Sequence, residues 1–325
     1  MKIFVTRRLP TPGICLLEKE HDLEINPENQ VLSKKEIIRG VKGKDGLLCL
    51  LTDTIDEDII TAEPAVKMIA NYAVGYDNVD VEAATKQGIP VSNTPGVLTD
   101  TTAEMAWALI YAVARRIAEG DRFARDGRFE GWDPMLLLGR DLTKKTLGII
   151  GAGRIGTAVG LKSKGLQMKV LYVDSAKNDT LEKEVQATQA SLERALEDSD
   201  FITLHVPLTD DTHHLIGKAE IDQMKESAIL INTSRGPVVD EQALINALEH
   251  NRIFGAGLDV YEHEPMIPQA LRKLENVVLQ PHSASATVDT RSNMAIIAAK
   301  NMLAGLDGKV PPNCVNPEVF EKNKN

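Results

Sequence analysis

The sequence contains no apolar run near the roughly 18–20 residues a helix needs to span a bilayer. Its first residues, MKIFVTRRLP, hold no apolar h-region of a secretory signal. Both absences lead to the expectation of a cytoplasmic protein. Cysteine is scarce: Cys15, Cys49 and Cys314 stand far apart, at no spacing that suits a metal site. Scattered thiols of this kind are expected to be reduced in an intracellular chain. Positive charge is outweighed, with 37 Lys and Arg against 47 Asp and Glu, for a formal net charge of −10. That argues against nucleic acid or an anionic membrane as partner and mostly predicts solubility. There is no low-complexity segment and no short internal repeat.

What is present is a long, ordinary globular composition. The chain has 325 residues, 43% of them hydrophobic, which is too long for most single cores and points to two domains. Short apolar strands alternate with helical segments: KIFVT, GICLLEKE, DLEIN, SKKEIIRGV, GLLCLLT, DEDIITAE, KMIANYAV, DVEAATKQG, IPVSN. That beat predicts βαβ units on a parallel sheet. A long helix follows, with Asp100 or Thr101 as its expected cap and Glu104 completing a capping box. Ala103, Ala106, Leu109, Ile110, Val113 and Ile117 are expected to form its apolar face. A second alternating block opens with TLGII and runs through MKVLYVD, SLERALEDSD, FITLHVP, KAEIDQM, AILIN, DEQALINALEHN, FGAGLDV and NVVLQP. TRSNMAIIAAKNMLAGLDG closes the chain as an apolar-faced helix.

The segment GAGRIG follows the strand TLGII and opens a helix, which is the context a dinucleotide-binding motif requires. Gly151 permits the tight turn, Gly153 lets backbone approach a pyrophosphate, and Gly156 allows close helix–strand packing. The helix N-terminus offers N–H groups and a positive dipole end to phosphates. Asp174 ends the next strand, roughly twenty residues on, where a carboxylate can bond ribose hydroxyls. It would repel a 2′-phosphate, so NAD(H) is expected over NADP(H), with nearby Lys177 able to soften the preference.

Three further polar residues stand just after strands of the second block. Arg235 follows AILIN, Glu264 lies in GLDVYEHEP, and His282 follows NVVLQP. Doubly wound sheets bind ligands outside the carboxyl ends of their strands, so these residues are candidates for one site with the dinucleotide. His213 and His214 have no carboxylate or thiol partners at metal-ligand spacing, and no metal is expected.

The segments GAGRIG, HVPLTDDTHHLI, LINTSRGPVVDEQAL, AGLDVYEHEP and PHSASAT occur here in order. In them the chain resembles the D-isomer-specific 2-hydroxyacid dehydrogenases over nearly its whole length. NYAVGYDNVD, NTPGVLTDTTAEMAWALIYAVARRI and WDPMLLLG look most like the glyoxylate and hydroxypyruvate reductase branch. The resemblance implies Arg235 as the grip on substrate carboxylate and carbonyl, His282 as proton donor, and Glu264 as the carboxylate paired with that histidine. Asp259 matches a position near the nicotinamide. Leu51, Val74 and Gly75 match the substrate pocket and its carboxylate-binding loop. Dinucleotide contacts are likewise implied for Thr102, Arg154, Ile155, Val206, Pro207, Thr212, Thr233 and Ser234. Trp132 matches a residue near the substrate pocket, across a dimer interface in similar reductases. Ala284 is a departure, since the family usually places glycine there, and its methyl group is expected to restrict the backbone or crowd the nicotinamide. The last helix lies close to the end of the sequence, so the regulatory extension of many phosphoglycerate dehydrogenases is not expected.

The fold implied is two α/β domains, each a Rossmann- or flavodoxin-like doubly wound parallel sheet, with the active site in the cleft between them. An NAD-binding domain of 100–287 is inserted into a substrate domain of 1–99 and 288–325. The function implied is NADH-dependent reduction of glyoxylate or hydroxypyruvate by a homodimer. Alternatives are another D-2-hydroxyacid dehydrogenase of the D-lactate or D-glycerate type, a phosphite dehydrogenase, and a dinucleotide-sensing corepressor that binds NADH without turnover.

Overall fold

The computed structural model describes residues 1–321; residues 322–325, the tip of the expected substrate domain, lie outside the described residues. The chain forms two compact units, Met1–Leu98 with Ala286–Asn325, and Thr99–Ser285. Each is built on a wholly parallel sheet.

In the first unit the elements run β1 (Lys2–Val5), α1 (Thr11–Glu18), β2 (Asp22–Ile25), α2 (Lys34–Val41), β3 (Gly46–Leu50), α3 (Glu57–Thr61), β4 (Met68–Tyr72), α4 (Val81–Lys86) and β5 (Val91–Ser92). Their sheet order is β2-β1-β3-β4-β5. Local chemistry sets the helix starts. Ser33 and Glu36 form a capping box at α2, and the Asp56 and Asp80 carboxylates accept from Ile59 and Ala83 at α3 and α4. The strands β3 and β4 are buried on both faces, as strands of a covered parallel sheet are.

In the second unit α5 (Thr99–Ala114) and α6 (Ile117–Arg125) precede β6 (Thr146–Ile150), α7 (Arg154–Lys162), β7 (Lys169–Val173), α8 (Asp179–Val185), β8 (Thr188–Gln189), α9 (Leu192–Asp198) and β9 (Phe201–Leu204). Then follow α10 (Lys218–Gln223), β10 (Ile229–Asn232), α11 (Glu241–Glu249), β11 (Gly255–Leu258), α12 (Gln269–Lys273) and β12 (Val277–Leu279). The order is β12-β11-β10-β9-β6-β7-β8. One core cluster lies between the sheet and α9–α11; another packs α5 and α7 on the opposite face. The last helix, α13 (Val288–Leu306), returns to the first unit. There it packs against α1, where Gly13 leaves room for the Ala295 backbone, and over β4, where Gly305 meets Met68.

Two expectations about the long helix need correction. It begins at Thr99, so Asp100 and Thr101 lie inside the first turn and do not cap it. It also ends at Ala114 and does not continue through Ile117. Arg116 takes a left-handed conformation (φ 51°), held by its ion pair to Glu119 at 2.7 Å. The carbonyl of Ala114 turns instead to the Arg140 N–H at 2.7 Å. Ile117 is therefore 54% exposed while Ala103, Ala106, Leu109, Ile110 and Val113 are buried. No described helix is long and apolar enough to cross a membrane.

Candidate active site

In the second unit the chain order reverses between β6 and β9, and the loops leaving these two strands flank the crevice where such sheets bind ligands. The glycine segment occupies that point. Gly151 has φ +92°, and a Cβ there would sit 2.8 Å from the His205–Val206 backbone after β9. A Cβ on Gly156 would fall 2.1 Å from the Gly151 carbonyl oxygen, so α7 rests directly on the loop. Around Gly153, the residue preceding α7, a Cβ would meet nothing within 4 Å. Open space beside a helix N-terminus is the cradle a pyrophosphate requires. Arg154 and Ile155 form the first turn of α7, with Arg154 exposed.

Asp174 follows β7 and is tied to this loop. Its Oδ2 accepts from the Ala152 N–H at 2.8 Å, and its Oδ1 from the Ala176 N–H at 3.1 Å. The carboxylate is thus held at the strand's carboxyl end beside the glycines. Lys177 turns elsewhere: it is ion-paired with Asp179 and Glu182, both at 3.0 Å, and these bonds hold its ammonium pKa above the usual range.

The remaining dinucleotide candidates divide into two kinds. Thr212 Oγ1 donates to the Pro207 carbonyl at 2.6 Å and accepts from the Thr209 N–H at 2.8 Å, so it shapes the loop after β9 that also carries Val206. Thr233, by contrast, is buried, and its Oγ1 has no hydrogen-bond partner among the described residues. Ser234 bonds back to Asn232 Oδ1 through both its N–H (3.0 Å) and its hydroxyl (2.8 Å). Thr102 is buried in the first half of α5.

Asn232, the last residue of β10, also donates to the Arg235 carbonyl at 2.9 Å, closing the turn that presents the arginine. Arg235 is extended (φ −139°, ψ 141°), and its Nη1 donates to the Ser234 carbonyl at 2.9 Å. The next residue must be glycine. A Cβ on Gly236 would lie 1.8 Å from the Tyr261 carbonyl oxygen. That contact seats the Arg235 turn on the loop after β11.

The loop after β11 carries the acid. Glu264 Oε2 lies 2.8 Å from His282 Nδ1, and its Oε1 accepts from the Tyr261 N–H at 3.1 Å. The neighbouring acid serves another histidine: Glu262 Oε1 lies 2.9 Å from His214 Nε2. Position alone does not separate two glutamates two residues apart; the side-chain directions do. His263 between them is exposed, and His213 stacks on His214 with ring centroids 4.1 Å apart.

His282 itself sits in a left-handed conformation (φ 53°) just past β12. Asp259 anchors that turn. It is fully buried, and its two oxygens accept from the Ser283 N–H (2.7 Å) and the Ala284 N–H (2.8 Å). Its own carbonyl accepts from the His282 N–H at 2.8 Å. Burial pushes the Asp259 carboxyl above its usual range, and the two N–H bonds oppose that shift. Ala284 is buried and has no positive φ, so its methyl group imposes no backbone strain. The left-handed residue of this segment is the histidine.

In the first unit Leu51 follows β3, and Val74 and Gly75 follow β4. The carbonyls of Val74 and Gly75 accept from Asn93 Nδ2 (2.7 Å) and Asn71 Nδ2 (3.0 Å). Two side-chain amides thereby fix the peptide planes of that loop. Trp132 is 84% exposed.

Comparison with known proteins adds to this geometry. Residues 107–284 match the family model described as "D-isomer specific 2-hydroxyacid dehydrogenase, NAD binding domain". A glyoxylate reductase from Korarchaeum cryptofilum is 51% identical over 322 residues, spanning 98% of this chain and 97% of the relative. A crystal structure of a protein from Thermus thermophilus superposes with a TM-score of 0.92 at 43% identity, covering 97% of this chain and all of the other. An NADPH-dependent glyoxylate/hydroxypyruvate reductase from Sinorhizobium meliloti, in complex with NADP and malonate, has a TM-score of 0.86 at 29% identity, covering 98% of each chain.

Proposed function

The chain belongs to the D-isomer-specific 2-hydroxyacid dehydrogenases, oxidoreductases that act on CH–OH donors with a nicotinamide dinucleotide, and we propose that it reduces glyoxylate, and hydroxypyruvate beside it, to the 2-hydroxyacid with NADH. The observation that carries this reading is the 2.8 Å contact between His282 Nδ1 and Glu264 Oε2. With Nδ1 engaged, Nε2 is the nitrogen that delivers a proton. The bound nicotinamide supplies the hydride to the carbonyl carbon. As charge grows on the carbonyl oxygen, His282 protonates it and the Arg235 guanidinium polarises it while gripping the carboxylate. The fixed loop of Val74 and Gly75 offers its backbone to that carboxylate, and Leu51 lines the pocket.

The glycine segment from Gly151 to Gly156 holds the pyrophosphate, with Arg154 and Ile155 at the helix start and Val206, Pro207 and Thr212 in the facing loop. Thr233 and Ser234, with Thr102 and Asp259, face the nicotinamide end. Asp174 takes the adenosine ribose and favours NADH, even though the S. meliloti relative binds NADP. The unit Thr99–Ser285 is on this reading the NAD-binding domain, and the other unit the substrate domain. A homodimer is supported by the apolar stretch around Trp132, where Phe129, Met135 and Leu138 are also exposed. The free thiols Cys15, Cys49 and Cys314 suit a cytoplasmic setting.

The test is a set of initial rates with glyoxylate, hydroxypyruvate and pyruvate against NADH and NADPH, and phosphite against NAD+. Fast NADH oxidation with glyoxylate or hydroxypyruvate is expected. Tight NADH binding without turnover on any pair would overturn the reading in favour of a sensor.

A further inference from the structure

The sheet of the first unit has its own point of reversal, between β1 and β3, and that crevice is where a flavodoxin-like order places a ligand. Two residues past β1 stands Arg7. It is partly buried, and its Nη2 is shut off from solvent with no hydrogen-bond partner among the described residues. Its chain neighbour Arg8 is exposed, as an ordinary surface arginine is. A carboxylate along the same sheet edge is already committed: Asp53 accepts from the Thr6 hydroxyl and from the Leu50 N–H at 2.8 Å. Thr6 is held further by Leu48, whose carbonyl takes its N–H at 3.0 Å, and by Asn26, which donates to its carbonyl at 3.0 Å. The backbone that carries Arg7 is therefore fixed, while its guanidinium is left with donors to spare. A shielded guanidinium nitrogen without an acceptor is costly and persists where a ligand supplies one.

We propose that Arg7 is a specificity-determining residue that recognises an oxygen on C3 of the substrate, selecting 3-hydroxy-2-oxoacids over 2-oxoacids without such a group. This rests on the reductase reading above. The adjacency β1-β3-β4 sets out the edge in order: Arg7, then Leu51, then Val74 and Gly75. A carboxylate held after β4 directs the rest of the acid across Leu51 toward β1. Neighbouring strands are about 4.8 Å apart, so the span from β4 to β1 is about 10 Å. A three-carbon acid and an arginine side chain together close that gap; a two-carbon acid stops short of it. Guanidinium carries donors only, so a C3 hydroxyl is read through its oxygen lone pairs.

The experiment compares the full-length wild type with Arg7→Met and Arg7→Lys, measuring kcat and KM with NADH for hydroxypyruvate, glyoxylate and pyruvate, together with Tm. Arg7→Met is expected to lower kcat/KM for hydroxypyruvate by about 10- to 100-fold, chiefly through KM. Glyoxylate and pyruvate change less than about threefold, Arg7→Lys recovers part of the loss, and Tm does not fall, because no internal bond is removed. An equal loss on all three substrates, or no loss on hydroxypyruvate, overturns the inference while leaving the reductase reading intact. A wild type that turns over neither glyoxylate nor hydroxypyruvate overturns both.

Discussion

His282 and Glu264, 18 residues apart in sequence, meet at 2.8 Å because two strand-end loops of one sheet converge. The carboxylate fixes the imidazole ring through Nδ1 and its other oxygen is fixed by the Tyr261 N–H. The imidazole ring is thus oriented by the protein's own groups. Replacing His282 with Ala is expected to lower kcat by about two to four orders of magnitude, the usual share of general acid catalysis. Glu264→Gln, which keeps the shape and loses the charge, is expected to cost about 10- to 100-fold. Steady-state rates with glyoxylate decide this, and a near-normal kcat in the first variant removes His282 from the mechanism.

Asp259 acts one layer deeper. Its two oxygens hold the peptide N–H groups of Ser283 and Ala284, so an amide at this position would set its own NH2 against one of those donors. Asp259→Asn is expected to lower stability by about 1–3 kcal/mol and to displace His282. The sign of a positioning role is a fall in kcat with the dissociation constant for NADH nearly unchanged, read by fluorescence titration. A variant with normal kcat would show that the anchor is dispensable.

Asp174 stands beside the glycine turn with its Oδ2 on the Ala152 N–H. On the reading proposed, Asp174→Ala removes the acceptor for the ribose hydroxyls and the charge that repels a 2′-phosphate. The ratio of kcat/KM for NADPH to that for NADH is expected to rise about tenfold or more. An unmoved ratio would contradict the assignment of this carboxylate to the ribose.

His205 gives a pH dependence of stability. Its Nδ1 is buried without a partner among the described residues, its Nε2 lies 2.9 Å from Thr203 Oγ1, and desolvation lowers its pKa from 6.5 to about 3. The folded state holds the ring neutral while the unfolded state protonates it. The stability this contributes is complete above pH 6.5 and is lost as pH falls toward about 3. The slope is up to about 1.4 kcal/mol per pH unit. Urea denaturation of wild type and His205→Gln, from about pH 7.5 down to about pH 4.5, is expected to show that slope only in the wild type. Parallel curves would refute it.

Much of the architecture is legible before any coordinates. Strands such as TLGII, AILIN and GLLCL are largely apolar runs, and burial on both faces of a parallel sheet favours that pattern. The helix α8, the two-residue strand β8 and the five-residue helix α12 are not legible, because short polar segments carry no periodicity. The end of α5 is hidden for another reason. Ile117 keeps the helical spacing, and the break depends on Gly139 and Arg140, which reach the Ala114 carbonyl from far along the chain. In the site, residue types at strand ends point to Arg235 and His282. The anchoring by Asp259, the division of labour between Glu262 and Glu264, and the isolation of Arg7 arise from tertiary contacts that local pattern does not encode.

The return of α13 to the first unit orders events in time. The unit Thr99–Ser285 is contiguous and can complete its sheet and both of its covering layers while the chain is still being synthesised. The first unit begins earlier but cannot finish, because α1 and β4 stay uncovered until the helix starting at Val288 has emerged. The half of the molecule made first is therefore completed last. During that interval its apolar α13-facing side, including Met68, is exposed to whatever else is folding nearby.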